Sequence, residues 1–416
     1  MPLTNARDVY LVAGSRAVSV CGDFLAATTL ALVLQQAGHG GVAVSGLTIA
    51  AALPIALLAP LAGRVVDRVD SRTLLVVVGF LQAAVCGLLA YVSSPVLIVA
   101  LVAVLASGLA FTQPTFGALV PEMVRPDEFG RASALVQTAG QIGMLSAPAL
   151  AGLLVGHAGA RPALLLDAAS YLALVGAGML IRTRRRPDAR RRTTVVTDRG
   201  WRVRDDRTLL VMIAALAAAC AGVSLINVVD VFFVRETLGA SPVWYGVITA
   251  SWTAGQLIAT PFVGRVDRNR VTVPLMLLVT AGASVAILAI AAVPSAAWML
   301  VPMTVGGLFN AGINIFSKVI LVDRAPSEHR GKAFATLSAS VQGAMLAGLL
   351  AAGPLVDRFE PRLLVLVSGV GGVFATAVAY PVARARRAPS VTVVPDDLPP
   401  REDSVDSGAG ASAGRG

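Results

Sequence analysis

The sequence has few charged and few aromatic residues. Charged residues make up 14% of the 416 residues and aromatic residues 5%, whereas about a quarter of the residues of a soluble domain are charged. The chain has no Gly-x-x-x-x-Gly-Lys-[Ser/Thr] loop that would hold nucleotide phosphates. These absences exclude a soluble enzyme and argue against an ATP-driven machine.

Cysteine is also scarce, with three residues in the whole chain. Cys21, Cys86 and Cys220 all fall in apolar segments and lack the spacing of metal ligands, so we expect neither a disulfide framework nor a metal site. No cofactor is expected. The apolar stretch from Leu11 is long and contains polar residues, so it is expected to stay as a helix and not to be cleaved as a signal peptide.

Long apolar segments dominate the chain instead. Hydrophobic residues make up 56% of it and the mean hydropathy is +0.75. A hydrocarbon core about 30 Å thick needs about 20 apolar residues per helix. We therefore predict an all-α polytopic membrane protein with twelve transmembrane helices, near residues 9–35, 42–62, 73–93, 95–120, 131–156, 162–182, 208–234, 242–263, 273–293, 296–322, 331–355 and 362–382.

Positive charge is distributed unevenly between the loops. The formal net charge is +10, and eleven arginines lie between Arg182 and Arg207. The positive-inside rule then predicts that both termini are cytoplasmic. Few basic residues would lie in outside loops, namely Arg161, Arg235, Arg358 and Arg362. Membrane topology thus explains the charge without a nucleic-acid partner, and the excess of arginine over lysine suggests a bacterial cell membrane.

An internal repeat divides the chain. The stretch PLAGRVVDRVDSRTLL from Pro60 returns as PFVGRVDRNRVTVPL from Pro261, and GRASALVQTAGQ from Gly130 returns as GKAFATLSASVQ from Gly331. The same offset in distant stretches indicates two tandem halves of six helices each. The predicted domains are residues 1–182 and 208–382, joined by a basic cytoplasmic linker at 183–207 and followed by a disordered cytoplasmic tail at 383–416.

Two such halves with a Gly-x-x-x-Asp-Arg loop after the second helix resemble the major facilitator superfamily. The likeness covers about residues 5–382, although Asp70 and Ser71 replace the usual Gly and its neighbour. Four further stretches resemble its drug-exporting branch, which includes macrolide and siderophore exporters: SRAVSVCGDFLA, PEMVRPDEFGRASAL, LLLDAASYLAL and FFVRETLGASPVWYG.

The resemblance implies a cytoplasmic gate. Asp67 would lie against the start of the eleventh helix near Gly331, where free N–H groups favour an anion. Asp267 would be its counterpart near Gly130. The alternative is that these charges only set topology. The candidate gate residues are Gly63, Asp67, Arg68, Arg72, Glu122, Gly264, Asp267 and Arg268.

Ionisable residues inside the predicted spans are candidates for function because they are costly in a membrane. Asp23, near the middle of the first helix, is the main candidate for proton coupling, and Arg16 lies on the same face. Asp23 could instead make a structural hydrogen bond. Asp167 is expected to act in packing, and Lys318 to reach the interface.

Polar residues that could contact a cargo occur in both halves. The repeat pairs Gln141 with Gln342, and residues four apart share a helix face. Each could equally bridge two helices, and Asp230 could be an interfacial residue. The candidate cargo-binding residues are Gln137, Gln141, Gln342, Asn227, Asp230, Asn310 and Asn314.

The fifth helix resembles the antiporter motif of the superfamily. Gly143, Pro148 and Gly152 match it, whereas Ala147 and Ala151 replace two of its glycines. The fourth helix lacks the arginine of many proton-coupled members and has Gln113 in that stretch. Proton coupling would therefore depend more on Asp23.

The resemblance and the residues together predict a monomeric, non-enzymatic exporter. It would move an apolar or amphipathic small molecule, such as an antibiotic, a toxic metabolite or a siderophore, in exchange for protons by alternating access. Two alternatives remain open at this point: a nutrient uptake facilitator of the same fold, and a non-transporting membrane receptor or assembly factor.

Overall fold

A computed structural model describes residues 5–125, 128–181, 203–326 and 329–384. These residues form twelve long helices, as expected for spans whose backbone groups find no water in a bilayer. The helices are α1 Ala6–Gln36, α2 Gly41–Arg68, α3 Ser71–Leu89, α4 Pro95–Met123, α5 Phe129–Ala158, α6 Ala160–Leu180, α7 Arg207–Phe232, α8 Pro242–Val263, α9 Val273–Ala291, α10 Ala296–Arg324, α11 Arg330–Val356 and α12 Pro361–Arg384.

Every predicted span coincides with one of these helices. Within the described residues, eleven helices are long and apolar enough to cross a membrane, and α8 is the long helix outside that set. The fold prediction is thus confirmed. Most of the predicted linker and tail lies outside the description, which includes only residues 203–207 and 383–384 of them.

The boundary predicted after the second span was wrong. Gly63 and Arg68 were placed in a loop, but α2 continues as a helix to Arg68. The helix ends only at Val69, whose backbone is extended, and nothing between Pro60 and Arg68 breaks it. In the second half α8 ends at Val263 and a short 3-10 turn follows, so the two repeats differ here.

The helices form two six-helix bundles of the same plan. In the first bundle α1 packs on α5 and α6, α2 on α4, and α3 on α4 and α6; in the second, α7 to α12 repeat each of these pairings. The helices also begin at matching positions, as α1 at Ala6 and α7 at Arg207 show. The sequence repeat therefore extends to helix packing.

A contact between the start of the first helix and the end of the fourth occurs in both bundles. The side-chain amide of Asn5 donates to the carbonyl oxygen of Met123 over 3.2 Å. At the equivalent place Asp206 accepts from Arg324 Nε at 2.7 Å. Asp206 also caps α7 by accepting from the backbone N–H groups of Thr208 and Leu209. The contact thus occurs at the same position in both bundles, but it is a neutral hydrogen bond in the first and an ion pair in the second.

The two bundles meet along two seams, α5 with α8 and α2 with α11. We call the side at which α6 ends and α7 begins the linker side, and the opposite side the far side. In the α5–α8 seam, on the far side, a Cβ at Gly246 would overlap the carbonyl group of Pro148, and one at Gly152 would overlap that of Pro242. Glycine is therefore needed for backbones this close.

The α2–α11 seam is polar on the far side. The backbone N–H of Gly41, at the start of α2, donates to Asp357 Oδ1 over 2.5 Å, and the hydroxyl of Ser45 donates to the carbonyl oxygen of Leu349. Gln35 also donates to Glu236 over 3.1 Å. Gln35 and Glu236 are equivalent in the repeat, so they meet near the axis that relates the bundles.

On the linker side the described parts of the bundles separate. A Cβ built at Gly63, Gly130 or Gly331 would meet no described atom within 4 Å, although these glycines lie near the linker-side ends of the same seam helices. Contact on the far side and separation on the linker side leave the space between the bundles open toward the linker side.

The Asp206–Arg324 contact predicts a pH-dependent stability. Burial alone would raise the pKa of Asp206, but hydrogen bonds from Arg324, Leu209 and Thr208 hold that pKa below its usual value. The unfolded value is about 3.9, so the stabilisation is complete above that pH and is lost as pH falls through the lower folded-state pKa. D206N, which keeps a capping oxygen, should unfold at a lower temperature than wild type at pH 7, with the difference shrinking below about pH 4.

Thermal unfolding in detergent at several pH values measures this effect. D206A loses the cap as well as the charge and should be less stable than D206N by about 1 kcal/mol. Equal unfolding temperatures for wild type and D206N at pH 7 would show that the ion pair contributes nothing.

Candidate functional site

A cavity of about 330 Å³ lies between the bundles. Helices α1, α2, α4 and α6 of the first bundle and α7 and α8 of the second line it, and most of its wall is apolar. The polar lining residues come from both bundles: Asp23, Thr28, Thr48, Asp167, Tyr171, Asn227, Asp230, Tyr245 and Thr249. An apolar cavity with a few convergent polar groups is the usual form of a small-molecule site.

Asp23 has a specific hydrogen-bond partner in this cavity. The hydroxyl of Tyr171 on α6 donates to Asp23 Oδ1 over 2.6 Å, and Tyr171 is almost completely buried. The other predicted coupling residue, Arg16, is not among the residues that line this cavity; its guanidinium carbon lies 5.8 Å from the centre of the Phe116 ring, and its charge still interacts with that of Asp23. The structure thus joins Asp23 to a tyrosine that sequence reasoning missed.

Asp167 lies one helical turn before Tyr171 and is fully buried. Ser170 donates to its Oδ1 over 3.1 Å and the Cys86 thiol donates to its Oδ2 over 3.1 Å. Gly22 on α1 packs directly against this pair, because a Cβ there would overlap Asp167 and Ser170. These contacts agree with the expected packing role and also place a second carboxyl group close to Asp23, with Tyr171 as a neighbour of both.

Asp230 reaches the same cavity from the second bundle. Its side chain is 7% exposed, so it is not an interfacial residue at the surface. Its Oδ1 has no hydrogen-bond partner among the described residues. Asn227, one turn earlier on α7, is exposed to the cavity. Asp230 is therefore a buried carboxyl group that faces the cavity with an unused acceptor.

A second cavity, of about 550 Å³, lies within the second bundle between α7, α10 and α11. Asn310, Asn314, Lys318 and Gln342 line it. Asn314 donates to the side-chain oxygen of Asn310 over 2.9 Å, so these amides partly satisfy each other. Five of the seven cargo-binding residues proposed from the sequence therefore divide between two cavities, with Asn227 and Asp230 in the first and Asn310, Asn314 and Gln342 in the second.

The glutamines of α5 lie outside both cavities. Gln137 is exposed and Gln141 is half-buried, and neither is among the lining residues of the two cavities. The pairing of Gln141 with Gln342 in the repeat thus does not bring the two side chains to one site in this conformation.

The candidate gate residues whose side chains the structure describes do not join the bundles in this conformation. Arg268 forms an ion pair with Asp323 of α10, and Asp267 one with Arg270 at 3.6 Å, both within the second bundle. Arg68 and Glu122 are exposed and Arg72 is half-buried. The backbone of Asp67 lies in the last turn of α2, and its side chain is outside the described part. Separation on the linker side accounts for these positions.

The antiporter-like residues of α5 lie where helices approach most closely. A Cβ at Gly143 would overlap the carbonyl oxygen of Ala17 on α1. Pro148 and Gly152 form the far-side seam with α8 described above. Ala147 and Ala151, which replace motif glycines, are fully buried, so their methyl groups are accommodated.

Several residues of the site carried no recognisable signal in the sequence. Tyr171 and Tyr245 lie within stretches that resemble the drug-exporting branch, where no role was expected for them, and Cys86 lies in an apolar stretch. The spacing of Tyr171 four residues after Asp167 puts both on one face of α6, which could have linked them. Their proximity to α1 depends on how three helices pack.

Comparison with known proteins gives one family and several structures. Residues 7–407 match the MFS_3 family, described as transmembrane secretion effector. No curated protein sequence matches significantly. Among solved structures, the nucleoside transporter NupG superposes with a TM-score of 0.75 at 13% identity, covering 89% of this chain and 98% of that one.

Two inward-facing structures are also similar. A bacterial homologue of the iron transporter ferroportin has a TM-score of 0.71 at 15% identity, covering 91% of this chain and 99% of that one. A bacterial homologue of the human lysosomal transporter Spinster has a TM-score of 0.67 at 13% identity, with coverages of 92% and 97%. Identities this low establish only a shared fold. Because the family match spans nearly the whole sequence, the chain belongs to the transmembrane secretion effector family of the major facilitator superfamily, whose members are multi-pass membrane transporters.

Proposed function

We propose that the protein exports an apolar or amphipathic small molecule across a bacterial cell membrane in exchange for protons. The observation that carries this proposal is the cavity between the bundles, which has apolar walls and buried carboxyl groups from both bundles. A secondary transporter of this fold binds its cargo between the halves and exposes it to one side at a time. Antibiotics, toxic metabolites and siderophores are the candidate cargoes.

Asp23 is the proposed site of proton binding. It lies within α1 and its hydrogen bond comes from the neutral donor Tyr171. A carboxyl group with a neutral partner can lose its charge by binding a proton, and burial makes its charge state matter to the surrounding structure. Asp167, held by Ser170 and Cys86, lies beside it. The proximity of Asp23 and Asp167 supports the proposal that proton binding is coupled to movement of the bundles.

The proposed direction of transport depends on orientation. Loops on the linker side carry most of the basic residues, including the run between Arg182 and Arg207, so we assign this side to the cytoplasm. The cavity then opens to the cytoplasm, where cargo for export would enter. The family description supports secretion. An uptake facilitator of the same fold is the alternative, since it would also pass through a conformation open to the cytoplasm.

Transport across vesicles tests coupling and direction. In inside-out vesicles with an acidic interior, export by proton antiport should accumulate cargo from a panel of lipophilic antibiotics and dyes. D23N should abolish this gradient-driven accumulation because it removes the proton-binding group. Y171F should lower the initial rate about tenfold, because a hydrogen bond to a charged group is worth roughly 1.5 kcal/mol or more.

The control for these variants is E360Q, which changes an exposed carboxylate at the start of α12 and should transport as wild type does. Accumulation that persists in D23N would remove Asp23 from the coupling mechanism. Accumulation driven only by the opposite pH gradient would favour proton-coupled uptake instead.

Alternating access predicts an effect of the polar far-side seam. The Asp357 carboxylate accepts from the backbone N–H of Gly41 at the start of α2, where the helix dipole also favours a negative charge. D357A should therefore weaken far-side closure and raise the population that is open on that side. D357N keeps an acceptor oxygen and should have a smaller effect.

Distances between spin labels at Val96 and Phe359, which are exposed on the far side of different bundles, report this opening. The native cysteines are first replaced by serine. We expect a longer-distance population in D357A and the wild-type distribution in E360Q. An unchanged distribution in D357A would show that the Asp357 contact does not hold the far side closed.

A further inference from the structure

The central cavity carries acidic groups without basic ones. Asp23, Asp167 and Asp230 are among its lining residues, and none of the described lining residues is an arginine, a lysine or a histidine. Arg16 of α1 is seven residues before Asp23, and its guanidinium lies over the Phe116 ring. A ligand in this cavity therefore meets carboxyl groups and apolar walls.

The three carboxyl groups differ in how their oxygens are satisfied. Asp23 and Asp167 both accept hydrogen bonds from neutral donors of the first bundle, namely Tyr171, Ser170 and Cys86. Asp230 is 7% exposed and its Oδ1 has no partner among the described residues. A buried acceptor left without a partner is unfavourable, and the positive charge of a ligand beside it would compensate the buried carboxylate.

The internal repeat shows that Asp230 is not a copy of Asp23. At the repeat offset Asp230 corresponds to Thr29, and Asp23 corresponds to Ser224. Asp23 of the first bundle and Asp230 of the second therefore lie at different depths. Asp23 can hold a proton while Asp230 contacts the cargo. The site is thus able to hold a proton and a positive ligand on separate carboxyl groups.

We propose that the cavity binds a small organic cation with an apolar body, with its positive group at Asp230. The apolar part would contact the walls formed by α1, α2 and α4, and the aromatic rings of Tyr171 and Tyr245 line the same space. Asn227, exposed to the cavity one turn before Asp230, supplies a polar contact beside the positive group. Anionic cargo is disfavoured because it would face the carboxyl groups.

This inference deepens the proposed function, since the cation would be the exported cargo. It narrows the cargo from amphipathic molecules in general to cationic ones. It also assigns Asp230, and not the amides of the second cavity, as the group that selects cargo by charge.

Binding of two compounds of the same shape tests the proposal. Benzyltrimethylammonium is a cation, and neopentylbenzene is its neutral carbon isostere. Equilibrium dialysis against the purified full-length protein in detergent, corrected with protein-free micelles, gives both affinities without any gradient. We expect the cation to bind at least tenfold more tightly. D230N should remove the preference, D230E should restore part of it, and E360Q should leave it unchanged.

Equal affinity for both compounds, or a preference that persists in D230N, would overturn the proposal. Size-exclusion chromatography confirms that each variant is folded, and if D230N does not fold, the comparison on wild type and D230E decides. The vesicle assay separates the two proposals. Gradient-driven transport without a preference for the cation would refute this inference alone, whereas a preference without any transport would refute the proposed export and retain the cation site.

Discussion

The cost of a carboxyl group inside a membrane is the constraint on which the rest of this structure depends. Three such groups meet around one cavity, and the surrounding helices are arranged to receive them. Gly22 allows α1 to approach Asp167 and Ser170, and Tyr171 spans from α6 to Asp23. Gly22 and Tyr171, which could otherwise be ordinary packing residues, thereby form part of one polar cluster.

The three carboxyl groups have different surroundings, which suggests that the two bundles have different roles. The first bundle surrounds its two carboxyl groups with hydroxyl and thiol donors, whereas the second presents Asp230 with an acceptor oxygen that has no partner in the described part of the chain. The backbone repeat gives both bundles the same helix positions, but the polar side chains do not follow it. The helices of the two bundles are related by the repeat, but the polar side chains of the site are not. Both can be true because a side chain can be substituted without moving its helix.

The sequence was sufficient for the scaffold and insufficient for the site. Apolar length and the recurrence of Pro60 as Pro261 predicted twelve helices in two bundles, because spans of fixed length and repeated motifs are local properties of the chain. The end of α2 was misplaced because Pro60 and Gly63, residues that disfavour helix, lie inside α2, which nevertheless continues to Arg68. Packing angles between helices determine which residues contact Asp23. They also determine that Gln342 lines a cavity and Gln141 does not. These angles cannot be read from a single sequence.

The far-side seam between α5 and α8 has a consequence for how such a protein can diverge. Two of its contacts join backbone carbonyl groups to glycines, at Pro148 with Gly246 and Pro242 with Gly152. At these positions closure depends on the absence of a side chain. Substitutions in the cavity wall can therefore accumulate without disturbing these seam contacts. Related proteins can then bind different cargo while the helices that close the far side stay the same.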